Sequence, residues 1–468
     1  MSEKNPTVAV DGPGERDADT VRPGRVLTAA CLGYGMVVLD TTVVNVAIPA
    51  MQTSLHADLA MMQLVVDSYV IVLASLVLAG ATAVARFGAV PMYRVGVGVF
   101  GVASLLCGVA PGGPTLVALR ILQGIGAILL MPATLVMLTK AYPSPEARAK
   151  AMAVWATVAG SPVAFGPILG GALVGVIGWR SIFLINVPVV VGALWMASRF
   201  MPPDDQGRAE PQDFVGQALA AVFLGGATLA LVKGHEIGWG RPVWAAIAVV
   251  CVALAAFVVR QRTYAYPMLP ADLLRSRGFS GFVGVGLLLF AGYYGLVFVV
   301  SLYLQQVRGY GPVATGLSFL PAALPITFTP LLASRISARL GALRMLLIAL
   351  SLTALGAVLL IAFGSSGPVG MSVGLFAIGL GFGLATVPQI TLVMAAAPSH
   401  RTAIASGMLT AGRQSGASLG VALLGGLQSG DTIVIPACAA FAVYLLMLLV
   451  GAAAGRHTRG GSPRPAQG

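Results

Sequence analysis

The chain has 468 residues, of which 57% are hydrophobic and only 9% charged, and its mean hydropathy is +0.90. Soluble domains carry roughly 25% charged residues, so this composition excludes an ordinary soluble enzyme and makes the bilayer the solvent. The net charge of +12 comes from basic residues scattered singly through short polar breaks, with no stripe that could track phosphates, which excludes nucleic acid as a partner.

Residues 1–25 are polar and charged and contain glycine and proline, which suits a cytoplasmic tail better than the short charged start of a signal peptide. Apolar runs of about 20 residues then follow one another, each able as a helix to cross the ~30 Å hydrocarbon core. Six runs, near 26–51, 61–85, 92–110, 115–139, 151–178 and 182–200, make an N-terminal half over 26–200. A linker over 201–278 carries two extra transmembrane helices, 214–232 and 243–259. Six further runs, near 279–304, 314–333, 343–363, 371–397, 404–428 and 433–455, make a C-terminal half over 279–455, and 456–468 is a second cytoplasmic tail. The predicted fold is an all-α integral membrane protein of about fourteen transmembrane helices, two six-helix halves plus two inserted helices.

Counted from a cytoplasmic N-terminus, the loops on the far side hold only Arg180, Lys233, Arg241 and Arg308, while the other Lys and Arg residues in and beside the loops fall on the near side. Basic side chains resist translocation, so the asymmetry places both termini in the cytoplasm. The halves echo each other. Ala85-Arg86-Phe87-Gly88-Ala89 returns as Ala338-Arg339-Leu340-Gly341-Ala342, and Gly124, Gly126 and Thr134-Leu135-Val136-Met137 return as Gly381, Gly383 and Thr391-Leu392-Val393-Met394. Leu169-Gly170-Gly171 returns as Leu424-Gly425-Gly426. Parallel repeats of this kind build a central cavity that rocks open to either side, which a membrane sensor or a channel would not need.

Of sixteen acidic residues only Asp40 and Asp67 fall inside spans. A carboxylate is costly to ionise away from water, so an acid there can load and release protons nearer physiological pH, as proton-coupled transport requires. The alternative is a permanently satisfied carboxylate that bridges helices. At 1.5 Å per residue Asp67 and Arg120 both lie ~9 Å below the outer ends of their helices, whereas Asp40 lies ~16 Å deep. Depth therefore predicts an Asp67–Arg120 ion pair, with Asp40 partnerless at its own depth and carrying the proton.

Arg120 and Gln123, three apart, share one helix face beside Gly124, and Arg413-Gln414 is the comparable polar pair of the second half. An intramembrane arginine must face a partner or a cavity. Asn45, Gln123, Trp155, Tyr293, Tyr294, Gln389 and Arg413 are candidates to line a substrate cavity, although aromatic residues serve packing as well. Gly160, Pro162, Gly166, Pro167, Gly170 and Gly171 crowd one span, where they allow close helix approach and bending at proline.

Several enzyme-like and metal-like patterns fail on context. Gly96-x-Gly98-x-x-Gly101 lies within an apolar span rather than after a strand, and Gly416-Ala-Ser418-Leu-Gly420 has its would-be triad partners, Asp431 and His457, on opposite sides of the membrane. No phosphate-binding G-x-x-x-x-G-K-[ST] loop is present, so the expected energy source is an ion gradient, with no cofactor. Cys31, Cys107, Cys251 and Cys438 lie in apolar runs without C-x-x-C spacing, support neither a disulfide framework nor a metal site, and read as packing residues.

Leu39-Asp40-x-Thr42-Val43-Val44-Asn45-Val46-Ala47-Ile48-Pro49 and Arg120-Ile-Leu-Gln123-Gly124-x-Gly126 resemble the first- and fourth-helix signatures of the fourteen-helix drug:proton antiporters of the major facilitator superfamily. Gly160 through Gly166-Pro167-x-x-Gly170-Gly171 resembles that branch's fifth-helix antiport motif, followed by the similar Gly178-Trp179-Arg180-x-Ile182-Phe183-x-Ile185-Asn186-x-Pro188. The resemblance covers nearly the whole chain. It implies proton-driven efflux of drug-like or antibiotic amphipathic compounds across the cytoplasmic membrane, proton relay by Asp40 and Arg120, and no obligatory protein partner. One stretch departs from the pattern: the gating loop, read on Arg86, Gly88, Arg339 and Gly341, lacks the family's acid and later bases over Ala85 to Val90, and Leu64 stands where the family often has tryptophan. A facilitator or importer of a small metabolite without proton antiport stays open as the alternative.

Overall fold

The computed structural model describes residues 23–201, 213–238, 240–265, 267, 269–310, 312–427 and 432–459; the rest of the expected tails and part of the linker lie outside the described residues. Every regular element among them is helical. The first half comprises α1 (Pro23–Leu55), α2 (Leu59–Phe87), α3 (Ala89–Gly108), α4 (Gly113–Ala141), α5 (Pro145–Val176), α6 (Ser181–Leu184) and α7 (Asn186–Phe200). Next come the inserted pair, α8 (Phe214–Ile237) and α9 (Arg241–Thr263), and the short α10 (Ala271–Arg275). The second half comprises α11 (Arg277–Leu302), α12 (Pro312–Ser318), α13 (Leu320–Leu340), α14 (Ala342–Phe363), α15 (Pro368–Ala396), α16 (Thr402–Gly426) and α17 (Val434–Arg459).

Local chemistry sets the ends. Asp58 caps α2 by accepting from the Met61 amide at 2.8 Å, and Ser144 caps α5 by accepting from Ala147 at 3.2 Å, with Pro145 in the first turn where its missing N–H removes nothing. The sixth and tenth expected spans are each broken in two. Pro188 cannot donate back to Leu184, so the chain breaks at Ile185 between α6 and α7; Pro321 likewise cannot donate to Leu317, and α12 ends before α13 begins. The ninth span runs on past Leu302 as a π-turn, Tyr303–Val307.

Nine helices among the described residues are long and apolar enough to cross a membrane, or ten if the bent pair Leu64–Leu73 and Ser75–Phe87 counts as one span. The long helices α13 and α16 dilute their apolar residues with proline, glycine and polar groups and do not pass that test. Only Val243, Ala253 and Phe257 of α9 are buried, while Trp244, Val249, Val252 and Val259 are exposed, as suits a peripheral helix facing lipid. Among the cysteines Cys107 alone is buried and Cys31 is half-buried, so packing describes those two; Cys251 and Cys438 point outward from the bundle.

The sequence echo is a structural echo. Gly88 ends α2 at φ 90° with its amide on Val84 O at 3.0 Å, and Gly341 ends α13 at φ 85° with its amide on Ser337 O at 2.8 Å. Positive φ favours glycine at both turns. Within the halves, a Cβ on Gly126 would meet the Phe100 amide of α3, and one on Gly381 would meet Thr353 of α14. Gly124 lies as tightly on Val72 of α2, and Gly383 on Thr329 of α13. Equivalent glycines thus serve equivalent crossings, α4 on α2 and α3, α15 on α13 and α14. The halves meet where α5 packs on α13 and α2 on α16, with Gly160 against Ile326 and Gly407 against Ala81. The inserted pair is tied together by Arg260 Nε to Asp213 Oδ1 at 3.0 Å and to α2 by Gln217 Nε2 to Thr82 Oγ1 at 3.0 Å.

Candidate functional site

Asp40 lies on α1, 2% exposed, and its carboxylate collects donors from two other helices. Arg120 Nη1 from α4 pairs with Oδ2; Gln123 Nε2, one turn on, donates to Oδ1 at 2.9 Å; and Asn186 Nδ2 from the start of α7 donates to Oδ1 at 3.5 Å. Spacing i, i+3 is what puts Arg120 and Gln123 on one face, and Arg120 also donates to Gln123 Oε1 at 2.7 Å. Ser104 of α3 joins by accepting from Gln123 at 2.8 Å and from Asn186 at 3.4 Å. The rest of Arg120 is enclosed by Tyr69, whose ring lies 4.2 Å from the guanidinium, and by Val65 O, which accepts from Nε at 3.3 Å. This is a buried ion pair whose carboxylate accepts from three side chains and whose guanidinium also donates to Gln123 and to Val65 O, the kind of surround that lets charges persist in an apolar interior.

The geometry corrects two expectations. Arg120 pairs with Asp40 rather than with Asp67, which is half-buried on α2, and Asp40 is not partnerless. The expected pairing compared backbone depths, whereas arginine's long stem carries the charge well away from its own Cα. A third correction concerns Arg413. It is not the counterpart of Arg120, because it stands on α16, the helix matching α5, while the counterpart of α4 is α15.

Between the halves lies a cavity of about 450 Å³, within the range of small-molecule sites. Trp155, Tyr293, Tyr294 and Arg413 line it; Gln123 belongs to the Asp40 cluster; and Gln389 stands behind Arg413, accepting from Nη2 while donating to Phe282 O at 3.0 Å. The side chains of Asn45 and Pro167 lie outside the described residues. Gln414, the partner of Arg413 in the polar pair of the second half, lines the cavity too, as do Tyr34, Thr41, Phe290, Phe382 and Thr386, which the sequence did not mark. For Tyr34 a signal existed: Tyr34, Val37, Val38 and Thr41 recur at helical spacing and form the α1 stripe of the wall. Tyr34 stacks on Trp155 with ring centroids 4.4 Å apart, and Tyr293 lies 4.6 Å from Phe382.

Helix α1 therefore serves both places. Thr41 faces the cavity and Asp40, ~100° round the helix, faces the ion pair. Behind α1 runs α5, where a Cβ on Gly166 would meet the Thr42 hydroxyl and one on Gly170 would lie 3.2 Å from Val43, while Gly160 O accepts from Thr327 of α13 at 3.3 Å. Pro162 is buried in the same helix, and Gly171 has open space where a Cβ would stand. The glycines thus bring α5 against the acid-bearing helix on one side and the second half on the other. At the turn after α2, Arg86 lies 5.2 Å from the Phe87 ring.

Known proteins resemble this chain along most of its length. The sequence profile described as Major Facilitator Superfamily matches residues 30–421. The methylenomycin A resistance protein of Bacillus subtilis is 36% identical over 86% of each chain, and the multidrug resistance protein Stp of Mycobacterium tuberculosis is 33% identical over 85% of this chain and 74% of its own. The crystal structure of the human organic anion transporter MFSD10 (TETRAN) shares the fold with a TM-score of 0.67 at 17% identity, over 92% of this chain and 99% of that one.

Proposed function

The chain belongs to the major facilitator superfamily, a family of multi-pass membrane transporters rather than enzymes, and from that premise we propose proton-coupled efflux of drug-like or antibiotic amphipathic compounds. The resistance proteins among its relatives support efflux. The observation that carries the coupling is the Asp40–Arg120 pair, buried on one side of a helix whose other side lines the cavity. Protonating Asp40 removes the counter-charge of a buried guanidinium, so the half that holds it must relax or rearrange, and α1 transmits that to the cavity wall. Arg120, Gln123, Asn186 and Ser104 hold the carboxylate; Asp40 takes and gives the proton. The energy source in this reading is the proton gradient, the membrane is the cytoplasmic one, and both termini lie inside.

Everted vesicles energised by a proton gradient test it: uptake of methylenomycin A or a multidrug panel that collapses on adding an uncoupler is the expected result, and uptake indifferent to the uncoupler contradicts antiport. The uncharged stretch at Ala85 and at Ala89 to Val90 favours a second reading, a facilitator without proton exchange. That reading predicts downhill flux unaffected by the uncoupler.

A further inference from the structure

We propose that the cavity selects amphipathic organic acids, compounds with a flat apolar body and one carboxylate or comparably acidic group; as a substrate class this rests on the efflux reading above. Arg413 is the only Lys, Arg, His, Asp or Glu on the wall among the described residues. Its Nη2 donates to Gln389 Oε1, an uncharged acceptor, and the Phe290 ring lies 5.1 Å from the guanidinium. Its Nε is buried with no hydrogen-bond partner. Gln389 cannot supply charge and is held from behind by its own bond to Phe282 O at 3.0 Å. The carboxylate of Asp40, ~100° round α1 from Thr41, is already committed to Arg120.

A guanidinium keeps its charge under all ordinary conditions, and a half-buried charge within the membrane interior without a counter-ion is costly. A ligand carboxylate supplies the missing charge to the guanidinium on the cavity wall, whose planar donor set suits a carboxylate. A cationic ligand would set like charges together in a medium of low dielectric and be rejected. The rest of the wall fits the body of such a ligand. The stacked Tyr34–Trp155 pair and the Tyr293–Phe382 contact present ring surfaces in a cavity of about 450 Å³.

The test is equilibrium binding to the purified full-length protein of three probes with one skeleton: naphthaleneacetic acid, naphthaleneacetamide and naphthylethylamine. The acid should bind about 10-fold or more tighter than either of the others. Arg413→Gln should erase that preference, and Arg413→Lys, which keeps the charge, should retain much of it. Equal binding by the three, binding by none, tightest binding by the amine, or a preference that survives Arg413→Gln overturns the proposal. Wild-type protein alone gives the ranking, so a variant that fails to fold does not remove the test. Binding is read without a gradient, so it fails separately from the efflux reading, which gradient-driven uptake decides.

Discussion

Arg120 in the first half and Arg413 in the second carry the same guanidinium into the interior of the bundle in opposite electrical states. Arg120 is 1% exposed and closes on Asp40, with Gln123, Tyr69 and Val65 completing its surroundings. Among the described residues Arg413 donates to a neutral amide, lies by an aromatic ring and has no carboxylate beside it on the cavity wall that it lines. One charge is answered inside the protein and the other is left for whatever enters. In the proposed reading the contrast separates two tasks that share α1 as a common wall: holding a proton site and receiving a substrate.

The contrast can be broken at the ion pair first. Arg120→Ala leaves Asp40 buried without its counter-charge, and removing one partner of such a pair costs ~3–5 kcal/mol. The expected outcome is a large loss of thermal stability in detergent together with loss of gradient-driven uptake, read by a melting curve and by vesicle transport. A variant that melts like wild type would show that the pair is dispensable to the fold.

Next in size is the contact between α5 and α1. Gly166→Ala drives a methyl group into Thr42, two residues from Asp40, and overpacking of this kind costs ~1–3 kcal/mol. It should lower both melting temperature and driven uptake. Gly171→Ala meets nothing within 4 Å and should leave uptake as it is, with a melting temperature equal to or slightly above wild type, because alanine is the better helix former. Equal effects of the two substitutions would refute the assignment of Gly166 to helix contact.

The smallest expected change is Ser104→Ala. It removes the acceptor shared by Gln123 and Asn186 while leaving the ion pair, a loss of ~1 kcal/mol. Melting temperature should fall slightly, and binding of naphthaleneacetic acid, which depends on the other region, should not move.

Much of this was legible in the residues. Apolar runs and the recurring Ala-Arg-x-Gly-Ala turn foretold two related helical halves, and the turn repeats because Gly88 and Gly341 both adopt positive φ. Arg120 and Gln123 were readable as one face because helical periodicity is local. What the sequence hid was three-dimensional reach. Depth along a helix could not show that Arg120 crosses to Asp40, nor that Ser104, an ordinary residue in an apolar run, would accept from Gln123. The cavity aromatics Phe290 and Phe382 were indistinguishable from core packing, since their role depends on how the halves face each other.

In the proposed reading Asp40 couples the gradient to transport without belonging to the substrate cavity. Asp40→Asn, compared with wild type in everted vesicles for gradient-driven uptake and in purified protein for binding of naphthaleneacetic acid, tests it most directly. Driven uptake should disappear while binding stays within about two-fold of wild type, under 1 kcal/mol. Driven uptake that persists in Asp40→Asn and still collapses with an uncoupler would contradict it.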